Sequence, residues 1–431
     1  DALQSSFDPN GPMAERFIPV SRFEILDRMT RPQLWGAYEL DDAKKFYRYL
    51  AAWRHIVYNE RLTRLEEDYL PFSPETDLIR VGQYRPEDRV ALRKDLIRHM
   101  RRLLEQANYT EITLAELKAE LEKSKSEYGL ELAVDLEDFE ELVMYRRGIS
   151  TQSMEKRDWR SRYYKTRTVE FPVYQRLFVL LKLKPEEQRV REVMAQERIE
   201  IKQAQKMVKK RRRMLPKNVL TEHIYIKLFK DIPQSDVKMM FPNTQVRFRR
   251  LDKLKLGVTA GGGTAAGAFA AATKILAAAN PVTAGIAIVT LGGVVFRQVS
   301  DVMAQKNHYM LTLAKNLYFH SLADNRGVIT LLASRAEEED IKEEMLLYCV
   351  LAKERVRYEE LADVKLAIEQ FLLSEFAVEV NYDVEDALDR LTQDGIAFID
   401  GNGMIGAMSP TEGCRHLDGL WDSYLNPEVG D

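Results

Sequence analysis

Cysteine is nearly missing from this chain: Cys349 and Cys414 are its two thiols among 431 residues. That excludes a disulfide framework or a Cys-rich zinc cage, and points to a reducing compartment with both thiols inert. Histidine is also sparse. His55, His99, His223, His308, His320 and His416 are scattered, and no two stand three or four residues apart with a carboxylate to share a metal. His308 and His320 would lie about 18 Å apart on one helix, too far to hold a common ion. The first 25 residues contain no apolar run, so no secretory signal is expected. Internal repeats and low-complexity linkers are absent as well. The glycines of "GVTAGGGTAAG" (257–267) lack the Lys-Ser/Thr that completes a phosphate loop. No metal, cofactor or catalytic residue is assigned from motifs.

Charge, by contrast, is abundant at 30% of residues, with a formal net of −3. It is unevenly spread: residues 206–255 hold 15 Lys/Arg against 4 Asp/Glu. The block "KMVKKRRRMLPK" (206–217) suits anionic lipid headgroups or nucleic acid, with a plain solvated helix end as the competing reading. Immediately after it, residues 256–296 carry a single charge, Lys274, and are interrupted at Asn280-Pro281. Two apolar segments of about twenty residues around a turn signal predict a two-span membrane hairpin over 256–298. Gly263, Gly267 and Ala271 recur every four residues, as do Gly285, Val289 and Gly293, a small-residue spacing that lets helices pack closely in lipid. Lys274, Asn280 and Pro281 would form the tip. Arg247, Arg249, Arg250, Lys253, Lys255 and Arg297 would flank the spans and place both termini on the cytoplasmic or matrix side.

Elsewhere, apolar residues at three- and four-residue spacing predict helices over 40–68, 86–107, 113–126 and 135–142. Strands are predicted in "LVMYRRG", "RTVEFPVYQRLFVLLKLK", "EHIYIKLFKDI" and "TQVRFRR", with one long charged helix over 185–213. Further helices are expected at 299–322, 326–352 and 358–376. "YDVEDALDRLTQDG" reads as a helix and "IAFIDGNGMIGAMSP" as a hairpin turning at Gly401-Asn402-Gly403, followed by a last helix. The fold class expected is mainly α with an α+β middle domain, a central transmembrane helical hairpin and a C-terminal winged-helix-like domain. The boundaries fall at 1–135, 136–255, 256–298 and 299–431.

Arg146, Arg147, Arg160, Arg162 and Tyr163 form the one cluster that could bind a phosphate-bearing ligand, although a solvated, salt-bridged surface is the preferred reading. In the winged-helix-like part, the expected recognition helix carries Asp383, Glu385, Asp386, Asp389 and Asp394 against Arg390, so DNA is not its partner. A protein-contact role suits it better.

Several stretches, "ERFIPVSRFEILD", "DLEDFEELVMYRRG", "IYIKLFKDIPQSDVKMMFPNTQVR", "DNRGVITLLASRAEEEDIKEEMLLY" and "YDVEDALDRLTQDG", together resemble an uncharacterised family with bacterial, plastid and mitochondrial members, described as two-span transmembrane proteins. The resemblance implies residence in a bacterial or organelle inner membrane and no established reaction. The expected function is a membrane-anchored structural or adaptor protein acting as a homo-oligomer, with lipid and a protein as partners. A pore ringed by the hairpins and an enzyme acting on a lipid or nucleotide phosphate are the alternatives.

Overall fold

A computed structural model describes residues 16–36, 39–75, 84–123, 130–157, 166–216, 218–248 and 320–425. The first half contains α1 (Arg22–Met29), α2 (Leu40–Tyr69), α3 (Pro86–Gln106), β1 (Thr110–Glu111), α4 (Leu114–Lys123), β2 (Leu130–Ala133), β3 (Phe139–Arg157) and β4 (Thr166–Leu183). Then come α5 (Glu186–Glu197), α6 (Ile201–Arg211), β5 (Tyr225–Pro233), β6 (Gln245–Phe248) and β7 (Ser321–Asp324). The remainder is α7 (Arg326–Leu351), β8 (Val356–Arg357), α8 (Leu361–Phe376), α9 (Val384–Gln393), β9 (Ala397–Ile399), β10 (Met404–Ala407) and α10 (Pro410–Leu425).

A five-stranded antiparallel sheet, ordered β1-β3-β4-β5-β7, is the centre of the molecule. Where both faces are covered the strands carry short apolar runs, as in Phe178–Leu181 of β4. Val143, Tyr145, Phe178, Leu180, Ile226 and Leu228 point into a core shared with α2, α3 and α7. The alternate residues Met144, Leu177, Val179, Leu181 and Phe229 enter a second core with α4 and the 3₁₀ turn Gln234–Met240. Gly148 sits in β3 at φ +73°, and a Cβ there would meet the Gln175 side chain at 2.4 Å.

The third core lies beyond the sheet and draws on both ends of the described chain. Ile18, Ile25, Trp35, Phe46, Tyr47 and Leu50 pack with Ile341, Tyr348, Leu372, Leu391 and Leu417. At its centre the Phe46 ring stacks on Tyr348 at 3.9 Å between centroids. α10 comes so close that a Cβ on Gly413 would stand 2.6 Å from the Phe46 ring. The last strands pair in the order β8-β10-β9, and the hairpin between β9 and β10 turns through Gly403 at φ +74°. Asp400 closes that turn by accepting the Asn402 and Met404 amides.

α2 and α7 thread two of these cores. The buried stripe of α2 gives Ala43, Phe46, Tyr47 and Leu50 to the third core and Tyr58, Leu65 and Tyr69 to the core under the sheet. α7 does the same in the opposite direction, with Val328 to Ala336 under the sheet and Ile341 to Leu351 in the third core. The two helices therefore run antiparallel.

Several expectations are corrected. The chain is a mixed α/β fold built on a five-stranded antiparallel sheet, in place of a mainly helical protein with a membrane hairpin. Among the described residues no helix is long and apolar enough to cross a membrane, and no described element carries the integral-membrane location expected in a bacterial or organelle inner membrane. The long helices α2 and α7 are interrupted by charge, which a span cannot afford in hydrocarbon. The proposed hairpin over 256–298 lies outside the described residues. Residues 139–142 are strand paired with β4, and their acids bind outside their own segment, Glu140 to Lys182 of β4 and both Glu140 and Glu141 to Arg93 of α3. The single helix over 185–213 is two, broken at Arg198, whose φ of +53° is left-handed. Residues 321–324 pair with β5 as a strand and do not end a helix.

Candidate functional site

Where α2 and α7 pass from one core to the next, both become charged. Arg54 of α2 and Glu339, Asp340, Lys342, Glu343 and Glu344 of α7 are all buried. α9 adds Arg390, also buried, from its last turn. The result is a polar belt between two apolar cores.

Arg390 is the hub. Its Nη2 lies 2.6 Å from Glu343 Oε2, its Nε 2.8 Å from Glu344 Oε1 and its Nη1 3.3 Å from Asp340 Oδ1. The same Nη1 also pairs with Asp386 one turn back on α9. Arg54 approaches from the other side, 2.9 Å from Glu344 and 2.5 Å from Asp394. Neutral donors complete the network: the Tyr58 hydroxyl donates to Asp340 and the Asn108 amide to Glu343. The Tyr382 hydroxyl donates to the Glu343 carbonyl. Beside this group, Lys342 reaches Glu339 and the Ile18 carbonyl, and Glu339 accepts the Ile18 amide. The belt thus joins α2, α7, α9 and the segment leading into α1.

Two guanidiniums face five carboxylates, Asp340, Glu343, Glu344, Asp386 and Asp394. Burial favours the neutral form of Asp340, Glu343 and Glu344, and the arginines only partly offset it. The Glu343 carboxyl is pushed up to about 8 and that of Glu344 to about 7. Asp340 is raised by the same cause. Arg390 moves the other way in effect: burial opposes its charge, but Asp340, Glu343 and Glu344 hold it firmly protonated.

Asp340, Glu343 and Asp386 place carboxylate oxygens within 4.8 Å of one another, a spacing a divalent cation could use. The Arg390 guanidinium stands among them and contacts all three. A fixed organic cation therefore occupies the position that a metal would take. The open grooves on the surface, one lined by Arg355, Phe398, Arg415 and His416 and one by Lys94, Arg98, Arg101 and Arg102, include no member of the belt.

Of the residues expected to bind an anion, Arg146 and Arg147 are described, and they belong to opposite faces of the sheet. Arg147 is buried, with its guanidinium 4.9 Å from the Phe17 ring and 5.1 Å from that of Tyr109. It also donates to the Ala107 carbonyl at 3.4 Å and lies 3.8 Å from Glu339. Arg146, next along β3, belongs to the opposite face of the sheet, opposite Thr110 and Leu177. Arg160, Arg162 and Tyr163 lie outside the described residues, as do Gly263, Gly267, Ala271, Lys274, Asn280, Pro281, Gly285, Gly293, Arg249, Arg250, Lys253, Lys255 and Arg297. Arg247 is opposite Glu131 in the β2–β6 pair. Sequence reasoning missed the belt. Its signal was an eight-charge stretch, 335–344, between two apolar runs of one helix.

A second feature is on the surface. One face of α8, made of Ala362, Leu366, Gln370 and Leu373, is exposed and carries no charge of its own in a chain rich in charge. Leu366 and Leu373 are 52% and 49% exposed. Asp363 stays exposed beside the face, whereas other charges of the helix are drawn into the molecule. Lys365 binds Asn381, Glu369 accepts the Tyr382 amide, and Glu375 pairs with Arg28 and Arg31.

No solved structure matches the chain. Residues 139–327 match the model of a family described as a protein of unknown function, DUF3754. The match supports the resemblance to an uncharacterised family and does not carry its membrane and two-span parts. A DUF3754 domain, of unknown function, therefore occupies residues 139–327, from the first residue of β3 to the first turn of α7.

Proposed function

We propose that this chain is a non-catalytic adaptor that assembles with a second copy through α8, while the charged belt fixes the α8–α9 unit on the rest of the molecule. The observation that carries the reading is the uncharged face of α8. Antiparallel pairing about a point between Glu369 and Gln370 would set Leu366 against Leu373 of the other copy. Such self-complementarity is what a two-fold interface requires. Leu366 and Leu373 are already half-buried, so covering the rest of four leucines contributes about 3–6 kcal/mol. The dimer is therefore expected to be weak, forming toward tens of micromolar.

The belt supports a structural reading of the ionisable groups. Each of its carboxylates is held by an arginine, a tyrosine or an amide of the same chain, and the two surface grooves described above lie away from them. Mass photometry and light scattering of the purified chain over a concentration series test the proposal. The wild type should shift from monomer to dimer. L366E/L373E should remain monomeric with an unchanged melting temperature, because both side chains are already largely exposed. A wild type that stays monomeric at tens of micromolar, or a variant that still dimerises, refutes it.

A further inference from the structure

The basic block of the sequence resolves into two sets of side chains. Arg211 and Arg212 turn inward. Arg211 reaches Asp135 at 3.2 Å, and Arg212 grips Asp138 while also donating to the Lys184 carbonyl. With the buried Arg189, which contacts Asp135 and Glu137, they clamp the α5–α6 pair onto the "DLED" turn before β3. Lys202, Lys206, Lys209, Lys210 and Arg213 turn outward. All five are exposed, and among the described residues none has an ion-pair partner. Spacings of three or four residues, with Lys209 and Lys210 adjacent, set them along one helix face and the 3₁₀ turn that follows, those three or four apart standing about 5–6 Å from one another. Gln203 and Gln205 are the exposed residues between them.

We infer that this row binds the phosphodiester backbone of a nucleic acid duplex, without reading its sequence. A row of fixed cations opposite a regular row of phosphates is the charge complementarity such binding uses. The amides of Gln203 and Gln205 add neutral donors for phosphate oxygens. An anionic membrane surface is the competing polyanion, and α6 is poorly made for it. Lipid-bound helices embed an apolar face, whereas Ala204 and Val208 of α6 are already packed on Val190 and Val193 of α5. Single strands are disfavoured too, because their binders supply aromatic platforms and no aromatic residue occurs in 199–213. The acidic α9 belongs to another part of the molecule and is not involved.

The test is fluorescence anisotropy of the full chain with 20-base-pair DNA and RNA duplexes between 50 and 200 mM salt, beside flotation with vesicles containing anionic lipid. Five phosphate contacts predict a slope of log K against log salt of about −4.5 for a duplex. K206Q/K209Q/K210Q should reduce that slope in magnitude by about 2.7 and weaken binding at every salt concentration. These side chains are solvent-facing, so the variant should melt with the wild type, which a thermal scan checks. Either duplex behaving this way supports the inference. Absence of duplex binding at 50 mM salt, a slope unaltered by the triple substitution, or binding confined to the vesicles overturns it.

Discussion

At the scale of single residues, Arg390 does the work that a metal ion does in other carboxylate clusters. Removing it leaves Asp340, Glu343 and Glu344 buried without their main counter-charge. Arg390→Met is expected to cost about 3–5 kcal/mol of stability. The loss should be larger at pH 8 than at pH 5.5, because protonation neutralises the stranded carboxylates. Urea unfolding at the two pH values measures this, and an equal loss at both would show that the acids are not the reason. Arg390 was legible in the sequence as the lone cation of an acidic helix. What could not be read there was its position: the seven-residue spacing from Asp383 gives no hint that the side chain turns inward against α7. The two rows of acids, on 337–344 and 383–394, are 39 residues apart, and only the fold brings them to one arginine.

At the scale of elements, ends and periods were well marked. α2, α3 and α7 begin and end within a residue or two of where their apolar spacing places them, and the strands "RTVEFPVYQRLFVLLKLK" and "IYIKLFK" are where β-branched and aromatic residues put them. The misreadings share one cause. At 135–142 and at 185–213 a high density of charge imitates a solvated helix, whereas tertiary pairing decides the backbone. Arg198 is instructive, since a left-handed arginine leaves no signature comparable to glycine. Arg198→Gly should keep the break between α5 and α6 and be neutral or stabilising by up to about 1 kcal/mol. Arg198→Val should lose about 1–2 kcal/mol, since a β-branched side chain is strained at positive φ. Melting temperatures of the two variants in parallel decide it; equal values would remove the backbone argument.

At the scale of the whole molecule, the belt makes stability depend on pH. The carboxyls of Glu343 and Glu344 titrate at about 8 and about 7 in the folded chain, against an ordinary value of 4.5. Between these limits the folded state holds more protons than the unfolded one, so this contribution is complete below the ordinary value and is lost as pH rises through 7 to 8. The melting temperature should therefore fall from pH 6 to pH 8.5, and more gently in Glu343→Gln, which is permanently neutral. A wild-type profile that rises across this range contradicts the assignment.

The antiparallel course of α2 and α7 also bears on how the chain is made. Phe46 and Leu50 wait for Ile341, Leu391 and Leu417 before they can leave water, and the backbone of Ile18 is held by Glu339 and Lys342. During synthesis the segment up to Leu50 must remain without these neighbours until some three hundred further residues have left the ribosome. A chain with so much deferred closure is expected to fold slowly and to lean on chaperones while it is being translated.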